Sequence, residues 1–91
     1  MTPKHRPPTT PGEVLLEEYL KPNGMTQVAL AAKMGVPLQR VNTLISGKRG
    51  VTAETALLLA KVLGTTPELW MHLQAARDLY EARNRLGKRV A

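Results

Sequence analysis

QVALAAKMGVPLQRVNTLIS, residues 27–46, is the stretch on which the reading of the whole chain turns. Gln27 to Met34 and Leu38 to Ser46 each place apolar residues at helical spacing, separated by the short turn Gly35-Val36-Pro37. Two helices that cross steeply over so tight a turn need small residues where their backbones approach, and Ala31 and Ala32 supply them. The turn also needs a positive φ at the end of the first helix, which Gly35 provides at little steric cost. Leu30, Met34, Val36, Val41 and Leu44 are then the positions that seat the pair on the remaining helices.

With those inward positions assigned, the second helix presents Leu38, Gln39, Arg40, Asn42, Thr43 and Ser46 outward, together with Pro37 at its start. This face carries hydrogen-bonding side chains and one cation but no carboxylate. It suits the major groove of double-stranded DNA. Asn and Gln read adenine in bidentate fashion, Arg reads guanine or holds phosphate, and Thr or Leu meets a thymine methyl. Gln27 stands at the start of the preceding helix, where a side chain reaches the backbone beside the groove, and helix N-termini attract phosphate. Gly47-Lys48-Arg49-Gly50 adds two cations in the following loop. A helical hairpin with a solvated polar face also arises without DNA, so the polar face by itself leaves both readings open.

Working outward, each flanking segment reads as helix. Thr10-Pro11-Gly12-Glu13 opens the first: Thr10 is a good N-cap, Pro11 suits the first helical position and Glu13 completes a capping box. Val14, Leu16, Tyr19 and Leu20 form its buried side, and Pro22-Asn23-Gly24 ends it. Thr26 caps the second helix. Thr52 caps the fourth, whose inward positions are expected to be Ala56, Leu57, Ala60 and Leu63 before Gly64. Thr66-Pro67-Glu68 opens a fifth helix running to about Leu86-Gly87, with Leu69, Leu73, Ala76 and Tyr80 along one stripe. No period-two alternation occurs, so no sheet is expected. Residues 1–9, MTPKHRPPT, read as a disordered tail, residues 10–86 as the domain and 87–91 as a basic tail.

Composition agrees with an all-α domain. Ala, Leu and Val dominate, Phe is absent and aromatics make up 3% of the 91 residues, enough for one small core. The absence of Cys excludes disulfides and thiolate metal sites, and together with the lack of an apolar leader fits a cytoplasmic protein. The net charge of +6 is unevenly spread. Residues 26–50 contain Lys33, Arg40, Lys48 and Arg49 without any acid, and residues 82–91 contain Arg83, Arg85, Lys88 and Arg89 without any acid. Residues 11–22 and 51–81 are net acidic. Such blocks fit a polyanion-facing side, with a merely solvated surface as the alternative. Nothing points to an enzyme: no nucleophile–base set, phosphate loop or metal-spaced cluster is present. Glu17 and Glu18 are helical neighbours about 100° apart, and His5 and His72 stand alone, so neither a metal nor any other cofactor is expected.

Three blocks carry a resemblance to a known family. They are Pro11-Gly12-Glu13, then Gly47-Lys48-Arg49-Gly50-Val51-Thr52, then Gly64-Thr65-Thr66-Pro67-Glu68-Leu69-Trp70. Over about residues 10–81 the chain resembles the HigA antitoxins, within the phage-repressor-like (Xre) helix-turn-helix group. It departs from them at Arg77-Asp78-Leu79, where the family often has an aromatic before Asp-Leu. The resemblance implies a five-helix phage-repressor-like fold and a homodimer that binds a palindromic operator and represses its own toxin–antitoxin operon. It also implies neutralisation of a small, basic ribonuclease toxin. A regulator of the same fold without a toxin, and a protein-interaction module, are the alternatives.

The fifth helix is also where a dimer is expected. About 20 residues make roughly 30 Å of helix, longer than so small a core covers. Leu73, Ala76, Leu79 and Tyr80 continue the apolar stripe beyond it and form the expected dimer interface. A two-fold axis there would set two recognition helices about 34 Å apart, one turn of DNA.

Overall fold

The computed structural model describes residues 8–90, with side chains through Gly87. The expected roles of Lys4, His5, Arg6, Lys88 and Arg89 fall outside the described residues or side chains. The first helix begins as α1 (Pro11–Val14) and widens into a π-helical stretch, Leu15–Leu20. There follow α2 (Gln27–Met34), α3 (Leu38–Ile45), α4 (Ala53–Leu63) and α5 (Pro67–Val90). The described residues form no strand, and none of their helices is long and apolar enough to cross a membrane.

Threonine fixes four of the helix starts. Thr10, Thr26, Thr52 and Thr66 accept from the backbone N–H groups of Glu13, Ala29, Thr55 and Leu69 at 3.0–3.3 Å. The capping box at Thr10 differs in detail: its hydroxyl donates to the Glu13 carboxylate at 3.2 Å. Gly35 ends α2 in the left-handed region, at φ 71°. The π-helical stretch is closed by the Lys21 N–H donating to the carbonyl of Leu16, five residues back. That wider turn brings Leu15 and Leu20 onto one side, both fully buried.

The core gathers Val14, Leu15, Leu20, Leu30, Ala31, Met34, Val41, Leu44, Val51, Ala56, Leu59 and Trp70. Trp70 is completely enclosed. Its indole N–H donates to Thr65 Oγ1 at 2.7 Å, and its ring lies 5.4 Å from that of Tyr19. Three expectations are corrected here. Leu57 is 60% exposed and Leu59 takes the inward place, because the triplet Leu57-Leu58-Leu59 gives periodicity no way to choose a phase. Leu15 joins the core, while Leu16 is only half-buried, an effect of the π turn. Ala31 alone is buried at the α2–α3 approach, and Ala32 is exposed.

Gly87 does not stop α5, which continues to Val90. The helix thus spans 24 residues, roughly 36 Å. It packs on α4 and α1 through its first half. At the other end of the described residues, the Pro8 carbonyl accepts from Arg77 Nη1 at 3.1 Å, which places Pro8 against α5, and residues 1–7 of the expected disordered tail lie outside the described residues.

Candidate nucleic-acid interface

Helix α3 is held by its inner side. Val41 and Leu44 are buried among Leu30, Ala31 and Met34 of α2 and Val14 and Leu15 of the first helix. The opposite side is open: Pro37, Leu38, Gln39, Asn42 and Ser46 are exposed, as are Lys48 and Arg49 in the following loop. Gln27, first residue of α2, and Thr43 are half-buried. Apart from Arg40, the residues expected to meet DNA are thus at least partly exposed, on α2, on α3, in the turn between them and in the loop after α3. Two of them spend their hydroxyls locally. Thr43 Oγ1 donates to the carbonyls of Gln39 and Arg40 at 2.9 and 3.2 Å, and Ser46 Oγ donates to the Thr43 carbonyl at 3.2 Å.

Arg40 is half-buried as well, and it is bonded to α4. Its Nη2 donates to Glu54 Oε1 at 2.9 Å and to Thr55 Oγ1 at 3.1 Å, both on α4. Pro37, Gln39, Arg40, Thr43 and Arg49 border a shallow concavity of about 370 Å³ beside the exposed face.

The basic loop is fixed at both ends. The Lys48 and Arg49 N–H groups donate to the Thr43 carbonyl at 3.0 and 3.1 Å, which folds the loop back over the end of α3. At the far end the Val51 N–H donates to Gln74 Oε1 of α5 at 2.8 Å, and Gln74 Nε2 in turn donates to Asp78 at 2.9 Å. Lys48 and Arg49 thus stand on a braced platform. Gln74, which braces it, and Glu54 and Thr55, which hold Arg40, were not legible in these roles. Glu54 reads only as a first-turn acid, and Gln74 lies 23 residues from its partner. Near this platform a cleft of about 750 Å³ opens between the start of α1, the loop and α5. Glu13, Arg49, Arg77, Asp78 and Glu81 line it with both signs of charge, so it is no anion surface.

Helix-turn-helix is the family whose profile matches residues 16–70. Antitoxin HigA-1 of Vibrio cholerae is 49% identical over 81 residues, covering 88% of this chain and 75% of that protein. The chain is a HigA-type member of the Xre helix-turn-helix family. The HTH-type transcriptional regulator YbaQ of Escherichia coli K12 is 46% identical over 81 residues, covering 89% of this chain and 72% of that one. Among solved structures, the Pseudomonas aeruginosa antitoxin HigA with the higBA promoter superposes at TM-score 0.86 with 32% identity, covering 91% and 90% of the two chains. The five-helix fold of this HigA-type protein is thus shared with a relative solved on promoter DNA.

Of the residues expected at a dimer interface, Leu73 is half-buried against the protein's own core. Ala76 and Leu79 are exposed, and the Arg77 guanidinium sits 5.8 Å from the centre of the half-buried Tyr80 ring.

Proposed function

We infer that this HigA-type protein is a sequence-specific DNA-binding repressor and the antitoxin of a HigBA-like module, controlling its own operon and neutralising a ribonuclease toxin. The observation that carries the DNA reading is the exposed, acid-free outer side of α3, where Gln39 and Asn42 are open to solvent, as are Lys48 and Arg49 in the loop that follows. Base contacts discriminate, whereas phosphate contacts act on any duplex. Alanine at Gln39 or Asn42 is therefore expected to cost about 1–3 kcal/mol on the operator and far less on random DNA. Alanine at Lys48 or Arg49 is expected to weaken binding to both, lowering the salt slope by about one unit each. Fluorescence anisotropy at several salt concentrations measures both. Equal losses on the two DNAs for Gln39 and Asn42 would reduce them to backbone clamps.

The repressor acts as a homodimer through Ala76, Leu79 and Tyr80 with Leu73 at the margin, on a palindromic operator. Leu79 is 52% exposed and Leu86 is 58% exposed on the part of α5 that runs beyond the core, an apolar stripe in need of a partner. The Leu79→Glu, Tyr80→Glu double variant is expected to sediment as a monomer at tens of micromolar, where the parent is a dimer. A parent that is itself monomeric at that concentration would remove the interface.

The second reading is a regulator without a toxin, and YbaQ, named only as a transcriptional regulator, is compatible with either. Isolation from native cells separates the two. Co-purification of a small, basic ribonuclease supports the antitoxin role, and its absence supports the regulator.

A further inference from the structure

Arg40 sits on the recognition helix, yet its charge is already partnered within the chain. Its Nη2 bonds both Glu54 Oε1 and the hydroxyl of Thr55, a residue only 4% exposed. Thr55 is itself fixed, its hydroxyl lying 3.1 Å from Thr52 Oγ1 at the cap of α4. Arg40 Nε is buried without a hydrogen-bond partner, so the guanidinium is seated where packing and its α4 acceptors dictate. Glu54, by contrast, is 73% exposed in its side chain and stands beside the concavity that Arg40 shares with Gln39 and Arg49. An acid so placed is unfavourable for DNA approach unless something offsets it.

We propose that Glu54 determines specificity by retaining Arg40 on α4, so that Arg40 adds no phosphate contact and affinity for arbitrary duplexes stays low. The inference rests on the DNA-binding reading. Its physical basis is that non-specific affinity comes from counterion release, one increment for each phosphate neutralised. A guanidinium occupied by Glu54 and Thr55 contributes no such increment. It serves instead as a strut between α3 and α4, holding Gln39 and Asn42 at the angle that base reading requires.

The test is a double-variant cycle of Glu54→Gln and Arg40→Gln. Binding to the operator and to a random duplex of equal length is measured from 50 to 200 mM salt, with circular dichroism melts on every variant. Glu54→Gln is expected to steepen the salt slope on random DNA by about 0.9 per protomer and to lower the operator-to-random ratio severalfold. Arg40→Gln is expected to leave the slope unchanged. In the Arg40→Gln background, Glu54→Gln is expected to add nothing to the slope. That last result distinguishes release of Arg40 from simple removal of a repulsive acid, which would act equally in both backgrounds. An unchanged slope in Glu54→Gln, or a slope lowered by Arg40→Gln alone, overturns the proposal while leaving operator binding intact. A parent without operator preference overturns the DNA reading itself. Thr55→Val supplies a further arm: it keeps Glu54 but removes one acceptor, and it is expected to move the slope in the same direction by less. A Thr55→Val slope steeper than that of Glu54→Gln counts against Glu54 as the restraint.

Discussion

Replacing Trp70 with alanine is expected to cost about 3–5 kcal/mol, the usual loss when a large buried aromatic is truncated. A chain of 91 residues has a total stability of about 5–14 kcal/mol, so this one change takes from about a fifth of it to all of it. The indole is fully enclosed, packs on Tyr19 and joins α5 to the first helix and to the core. No other described side chain fills that space. Trp70→Phe refills most of the volume but leaves the Thr65 hydroxyl without its indole donor, and is expected to cost much less than the alanine change, with about 1 kcal/mol from the lost hydrogen bond. Urea unfolding followed by far-ultraviolet circular dichroism measures both, since the only Trp is lost as a fluorescent probe. A cost below about 1 kcal/mol for Trp70→Ala would contradict the enclosed packing.

Gly12→Ala is expected to cost about 3 kcal/mol, at the upper end for overpacking, and to weaken operator binding as well. A Cβ at Gly12 would meet the Leu44 carbonyl oxygen at a forbidden distance and lie 2.8 Å from both Cα and O of Ile45. These are backbone atoms in the last turn of α3, so no side chain can rotate out of the way. The first helix must lift or α3 must tilt, and α3 carries the proposed groove face. Gly35→Ala is the control. It meets no atom within 4 Å but forces an alanine to φ 71°, a strain of about 1–2 kcal/mol confined to the turn. Urea denaturation and operator titration of the two variants separate the effects: both lose stability, and Gly12→Ala loses more affinity. Equal affinity in both would mean that the close approach does not set the angle of α3.

The segments whose boundaries depend on neighbours in sequence were legible. Each expected threonine cap accepts the N–H group three residues on, and Gly35 and Gly64 end α2 and α4 with positive φ. Capping is a matter of three or four residues, which a sequence displays directly. Packing between distant segments was less so. Gly12 reads as part of a helix start, whereas the reason for glycine there is α3, some thirty residues away. Three leucines in a row hide which one faces inward, and only the assembled core selects Leu59. Gly87 reads as a stop, but nothing crowds the helix there and α5 continues. At the candidate interface, residue types singled out the outer side of α3 as the proposed groove face, and that side is exposed. The turn of Arg40 toward α4 depends on Glu54 and Thr55, 14 and 15 residues on, a distance that no local pattern spans.

The contact between Tyr19 and Trp70 ties the beginning of the fold to its last helix, and the bond from Arg77 to Pro8 does so again. Between those two closures lies the whole recognition pair, which has no core of its own: Leu30, Met34, Val41 and Leu44 are all buried in the shared one. Such an arrangement folds as a single cooperative unit, because the α2–α3 pair gains its burial only once the chain has closed around it. Amide protons of α3 therefore exchange with solvent through global opening rather than local fraying, and their protection reports the stability of the entire protein. Loosening α5 at Trp70 shortens the lifetime of the proposed groove-reading surface, though no residue of that surface has changed.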